Sequence, residues 1–129
     1  MLAKDIMTRD VITVSLATTV KNLARILTQN QISGVPVTDK KGKILGLVSE
    51  TDIVAKKGKQ VKDIMSKNVV GVTDDTPVEK VASVMTTHKI SRLPVMRGGK
   101  LVGIVSRADI VGAIAMGKHI ALHTPIYDL

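Results

Sequence analysis

Two short segments hold the residues best suited to grip a ligand: Ser49-Glu50-Thr51-Asp52 and Ser106-Arg107-Ala108-Asp109. Each sets a hydroxyl three residues ahead of a carboxylate, followed by Ile-Val. At a strand-to-helix turn this spacing is a capping box: the serine accepts the N–H three residues on, and the acid returns the bond. The same geometry can do binding chemistry. A helix N-terminus offers free N–H groups and positive dipole to phosphate, and a carboxylate can accept both hydroxyls of a ribose. The two readings are compatible. A second pair of segments, Ile32-Ser33-Gly34-Val35-Pro36 and Ile90-Ser91-Arg92-Leu93-Pro94, reads first as turn chemistry ahead of short strands. Arg92 adds a guanidinium that binds oxyanions in bidentate fashion.

Other constellations are poorer. His119 and His123 lie four apart, but no third ligand is near and Pro125 ends any helix, so no metal site is expected. The chain has no Cys, which removes disulfides, thiolate metal sites and a cysteine nucleophile. It lacks a G-x-S-x-G elbow and a phosphate-binding P-loop. The duplicated carboxylates come singly, with no close pair for acid–base work. An enzyme is not expected.

The elements that must position these residues come in duplicate. Lys4-Asp5-Ile6-Met7 returns 58 positions later as Lys62-Asp63-Ile64-Met65, and Ile32 to Val37 returns at the same offset as Ile90 to Val95. Gly46 to Val54 returns 57 positions later as Gly103 to Val111. Two similar units in one short chain imply pseudo-twofold symmetry, and the seam between such halves is a natural ligand cleft.

Within each unit the pattern reads β-α-β-β-α, an α/β (α+β) arrangement. In the first, Val11 to Val14 is a strand-like run. Thr18 or Thr19 caps a helix with Val20, Leu23, Ala24 and Leu27 on one face. Val35 to Thr38 and Ile44 to Val48 are strands about a turn at Asp39 to Gly42, with Pro36 marking an edge or bulge. Ser49 opens a helix to about Ala55. In the second, the run Val69 to Val72, a helix from Thr76 to about His88, strands Leu93 to Met96 and Leu101 to Val105, and a helix to about Met116 follow. The organisation expected is repeat one over 1–57, a linker over 58–60, repeat two over 61–116 and a tail over 117–129.

Composition bounds the class. At 129 residues the chain is one domain's worth, able to bury roughly two-thirds of its unfolded surface. Halves of this size are marginal alone. One Tyr with no Phe or Trp leaves a core of Val, Ile, Leu, Met and Ala, with methionines filling gaps. No apolar run approaches the roughly 20 residues that span a bilayer, and Lys4, Asp5, Arg9 and Asp10 interrupt any signal-peptide core, so a cytoplasmic protein with no membrane role is expected. The net charge of +8, from 19 Lys and Arg against 11 Asp and Glu, draws polyanions in general.

The ordered duplication of the proline segment and the Gly-h-Val-Ser-x-x-Asp-Ile-Val segment resembles a tandem pair of CBS domains, a Bateman module. The resemblance implies two β-α-β-β-α repeats packed face to face about a pseudo-twofold axis, with two clefts that bind adenosine compounds such as AMP, ADP, ATP or S-adenosylmethionine. It implies a homodimer and a regulatory role through an effector protein or a change of assembly, without catalysis or a cofactor of its own. By the family pattern the aspartate of one repeat works with the early strand and proline segment of the other. Cleft one then combines Ser49, Thr51 and Asp52 with Val70, Val72, Ile90, Ser91, Arg92 and Pro94. Cleft two combines Ser106 and Asp109 with Ile12, Thr13, Val14, Ile32, Ser33, Gly34 and Pro36. Arg92 against Gly34, and Thr51 against Ala108, favour cleft one for a phosphorylated ligand, although Arg107 adds charge to cleft two. The alternative is a nucleic-acid-binding protein using its basic surface. Against it stand the missing aromatic platforms and the absence of a groove-reading motif.

Overall fold

The computed structural model describes residues 1–118. His119, His123 and most of the expected tail lie outside the described residues. Two compact units form, and their limits do not follow the sequence repeats. One contains Ile12–Val69 with Gly98–Leu101; the other contains Met1–Val11, Val70–Arg97 and, among the described residues, 102–118.

The unit built on repeat one begins with an extended run rather than a full strand: of Val11 to Val14, only Val14 pairs, in a parallel bridge to Val37. Its N–H donates to the Pro36 carbonyl at 3.1 Å, and its own carbonyl accepts the Thr38 N–H at 3.0 Å. Helix α2 (Val20–Asn30) starts at Thr19, whose hydroxyl accepts the Asn22 N–H, and stops at Gln31 in the left-handed region. Strands β1 (Gly34–Thr38) and β2 (Ile44–Ser49) pair antiparallel, with the register slipping between Val37 and Thr38. Proline has no N–H for a ladder, yet Pro36 stays in register opposite Leu47 and the irregularity falls just beyond it. Asp39 organises the turn by accepting the Lys41 and Lys43 N–H groups, each at 2.9 Å. Helix α3 (Glu50–Ala55) follows directly on β2.

Helix α4 (Val61–Ile64) is the second Lys-Asp-Ile-Met segment, and it packs here, in the unit of the first repeat. Val61 and Ile64 join Val14, Leu23, Leu27, Val35, Val37 and Val48 in one core. Val61 N–H donates to Thr18 O at 2.8 Å, and Leu47 and Ser66 exchange both backbone bonds at 2.9 and 2.8 Å. That close pairing accounts for Gly46: a Cβ there would stand 2.5 Å from the Ser66 carbonyl oxygen.

The other unit repeats the device with the chain's first residues. Helix α1 (Ala3–Ile6) docks against repeat two, Ala3 N–H bonding Thr76 O at 2.8 Å, while Thr8 and Ile104 pair as Ser66 and Leu47 do. Gly103 is the matching close approach, its would-be Cβ 2.5 Å from Met7 Sδ. Strand β3 is short (Val72–Thr73) and runs parallel to β4 (Arg92–Arg97), which lies between it and β5 (Lys100–Ser106). Helix α5 (Val78–His88) is preceded by Pro77, and helix α6 (Arg107–Ala115) begins at Ser106. Ala3, Met7, Val72, Val78, Val81, Met85, Leu93, Val95, Val105 and Ile110 form its core. Both cores are free of aromatic side chains, as the composition requires.

Candidate functional site

Both Ser-x-x-Asp turns fold as capping boxes. In the first, Ser49 Oγ accepts the Asp52 N–H at 3.4 Å, and Asp52 Oδ2 accepts the Ser49 N–H at 2.9 Å and the Ser49 hydroxyl at 3.2 Å. In the second, Ser106 Oγ accepts the Asp109 N–H at 3.1 Å, and Asp109 Oδ2 accepts the Ser106 N–H at 2.7 Å. The first N–H of each helix is also taken. Glu50 N–H donates to Ser33 O and Arg107 N–H to Ser91 O, each at 2.9 Å. Of the four donors a helix start leaves open, three are therefore already used, and the phosphate role expected of these termini shrinks accordingly.

Those bonds also show what the Ile-Ser segments do: within each repeat the serine carbonyl ties the proline segment to the start of the following helix. Ser33 and Gly34 thus lie beside α3, and Ser91 and Arg92 beside α6. A Cβ at Gly34 would sit 3.1 Å from Val48 O and 3.3 Å from Ser49 Cβ. Pro36 and Pro94 are buried, and Ile32 and Ile90 are half-buried. Arg92 is exposed, and its guanidinium has no hydrogen bond or ion pair among the described residues. It stays available to an oxyanion.

Of the early segments, Ile12 and Thr13 are exposed while Val14 is core. Val72 is buried and Val70 half-buried. Thr51 and Ala108 are both exposed. Ser49, Thr51 and Asp52 thus share a compact unit with Ile12 to Val14 and Ile32 to Pro36, and Ser106 and Asp109 share the other with Val70, Val72 and Ile90 to Pro94.

The two aspartates differ in their remaining oxygen. Lys56 Nζ stands 2.9 Å from Asp52 Oδ1 and donates to Ile64 O at 3.0 Å. Asp109 has no cation beside it among the described residues. Sequence reasoning passed over Lys56, which lies just beyond the helix end expected near Ala55; its place one turn after Asp52 was the available signal.

Each unit also holds an open hollow. One, about 460 Å³, lies between α5 and α6 and is lined by Met85, Thr86, Lys89, Arg107, Ile110 and Ile114 among others. Arg107 is thus one of the residues bordering the helical groove of its own unit. The other, about 540 Å³, is bordered by Thr13, Ser15, Thr18, Ile26, Asp39 and Leu45 among others.

One ion pair went unnoticed in the sequence. Asp74 is buried and accepts from Arg97 Nε at 2.7 Å and from a second guanidinium nitrogen. This bond from Arg97 holds the carboxyl below its ordinary range. Asp63 is lowered too, through the backbone N–H groups of Gln60 and Lys59. No group of three or more His, Cys, Asp and Glu among the described residues could hold a metal. No helix among them is long and apolar enough to cross a membrane.

Comparison with known proteins places this architecture. The CBS domain profile matches twice, over residues 3–58 and 61–116, and the chain belongs to the CBS domain family as a tandem pair. It is similar to inosine-5'-monophosphate dehydrogenase of Methanocaldococcus jannaschii, 35% identical over 84% of this chain but only 23% of that protein; the chain spans about a quarter of the length of that relative. Two solved structures resemble it along nearly their whole length. The CBS domain pair of protein MJ0100, in complex with 5'-methylthioadenosine and S-adenosyl-L-methionine, matches with TM-score 0.80 and 33% identity, covering 92% of this chain and 98% of that one. CBSX2 of Arabidopsis thaliana, in complex with AMP, matches with TM-score 0.86 and 30% identity over the same shares.

Proposed function

We propose that this chain is a regulatory module that binds an adenosine-containing ligand, and that it transmits the state of that ligand without catalysis. Asp52 and Asp109 are the ribose acceptors, Arg92 the phosphate partner, and the aliphatic residues Ile12, Val70, Ile32 and Ile90 the surfaces for the base. The observation that carries this reading is the duplicated Ser-x-x-Asp turn, with each carboxylate at a helix start and tied to a proline segment through Ser33 or Ser91. The complexes of MJ0100 and CBSX2 with adenosine compounds support it. A chain without aromatic platforms leaves aliphatic side chains as the only apolar surface for an adenine ring.

The regulatory half follows from linkage: a ligand shifts a conformational equilibrium only by its difference in affinity for the two states. The readout is then a partner protein or a change of assembly. The test is equilibrium dialysis against AMP, ATP, 5'-methylthioadenosine and S-adenosylmethionine. Saturable binding of at least one, lost on Asp52→Ala with Asp109→Ala, supports the proposal; no binding at millimolar ligand ends it.

A further inference from the structure

We propose that Lys56 is an intramolecular competitor for the Asp52 carboxylate, so that the two repeats differ in their readiness to take a ribose diol. The inference rests on the nucleotide reading above but concerns a residue that reading does not use. Both oxygens of Asp52 are engaged: Oδ2 by the Ser49 N–H and hydroxyl, Oδ1 by the Lys56 ammonium at 2.9 Å. The lysine is held from a second side by the Ile64 carbonyl at 3.0 Å, at the end of α4. A vicinal diol needs acceptor positions on this carboxylate, so it has to displace the ammonium.

The reason lies in the residue one turn after each aspartate. α3 is six residues long and leaves helical geometry at Lys56 (φ −122°, ψ 153°), which lets the side chain turn back over the preceding turn. α6 runs for nine residues, and the position matching Lys56, 57 further on, is Ala113, buried inside that helix. Asp109 Oδ1 is left without a hydrogen bond or ion pair among the described residues. Asp109 also shares its compact unit with Arg92, whereas Asp52 shares its own with Gly34. Asp109 is the readier acceptor of a neutral ribose.

The size of the effect is set by exposure. The lysine side chain is 46% exposed and the aspartate 15%. Pairs of this kind contribute little, and the difference in affinity is about two- to fivefold.

The test uses adenosine, which is uncharged, so that losing the lysine's attraction for phosphate cannot mask its release of the carboxylate. Calorimetry compares the full-length Asp109→Ala variant with Asp109→Ala carrying Lys56→Met, and with a second version carrying Lys56→Gln. Circular dichroism checks that each is folded; Asp109→Asn replaces Asp109→Ala should the latter fail to fold. Adenosine should bind the lysine-free proteins about two- to fivefold more tightly, and raising salt should bring the Lys56 protein towards them. The diol-less probe 2',3'-dideoxyadenosine should show no gain. Equal or weaker adenosine binding without the lysine overturns the competition while leaving the nucleotide reading intact. Adenosine and AMP failing to bind wild type, Asp109→Ala and Lys56→Met alike overturns the nucleotide reading and the competition with it.

Discussion

At the scale of single residues, each functional candidate also has a structural job. Ser49, Asp52, Ser106 and Asp109 close capping boxes, so removing an aspartate costs helix stability in addition to the binding proposed for it. The two effects separate by magnitude. Loss of a cap costs about 1 kcal/mol, whereas loss of a charged acceptor to a buried ligand group costs about 1.5–3 kcal/mol in binding. We therefore expect Asp109→Ala to weaken AMP binding by at least tenfold in calorimetry while the protein still melts cooperatively. Arg92→Ala should weaken AMP more than adenosine, since only AMP carries phosphate for it.

The Asp74–Arg97 pair gives a residue-scale expectation about pH. The Asp74 carboxyl is lowered in the fold, first by its bond from Arg97, and Asp63 is lowered by two backbone N–H groups. A depressed carboxyl contributes stability above its unfolded value, about 3.9, and loses that contribution as pH falls through the folded value. Melting temperature should thus fall on acidification below about pH 4. With Arg97→Met the Asp74 share should shrink and the acid limb should flatten. An unchanged limb would assign the pH dependence to other groups.

At the scale of elements, the exchanged segments matter most. The first Lys-Asp-Ile-Met segment packs with repeat two and the second with repeat one, each held by backbone bonds across a glycine: Gly46 facing Ser66, and Gly103 facing Met7 and Thr8. A methyl group at Gly46 meets a carbonyl oxygen that belongs to a paired backbone and cannot retreat without breaking that pairing. Overpacking of this kind costs on the order of 1–3 kcal/mol, so Gly46→Ala should lower the urea midpoint measurably. Leu23 is fully buried in the same unit, and Leu23→Ala should cost about 2–5 kcal/mol. Most elements were legible in the sequence. Thr19 caps α2, Ser49 and Ser106 cap α3 and α6, and the turn at Asp39 was marked by its Asp and Gly. The early strands were not. Val11, Ile12 and Thr13 are all β-branched, yet a strand needs a pairing partner along its length, and in this run only Val14 finds one.

At the scale of the whole molecule, charge and exposed apolar surface make separate claims. Val54 on α3 is 88% exposed and Val111 on α6, its counterpart in the repeat, 60%. Two large aliphatic residues left in solvent at duplicated positions are where a second copy would be expected to pack if the chain dimerises. Val54→Asp with Val111→Asp should give a monomer by light scattering, with both units still folded. A wild-type monomer at the same concentration would remove that reading. The net charge of +8 should give weak retardation of nucleic acid at low salt. That retardation should fade towards physiological salt, since affinity built on phosphate contacts falls steeply with added ions. Retention there would revive the nucleic-acid alternative.

The sequence by itself determined the duplication, the order of elements, the aromatic-free cores and the pair of Ser-x-x-Asp turns. Each of these is written in local spacing, where a cap, a turn or a period involves residues a few positions apart. Tertiary structure alone decided which segment packs with which repeat, because that choice depends on backbone pairing between residues such as Thr8 and Ile104 that lie far apart in the chain. It also decided how the two aspartates differ. Lys56 stands at Asp52 with the Ile64 carbonyl holding its ammonium in place, whereas the matching position after Asp109 is Ala113, which has no cation to offer. A lysine that the sequence sets one turn after Asp52 becomes its partner through the fold, and that contact is what makes two nearly identical motifs unequal.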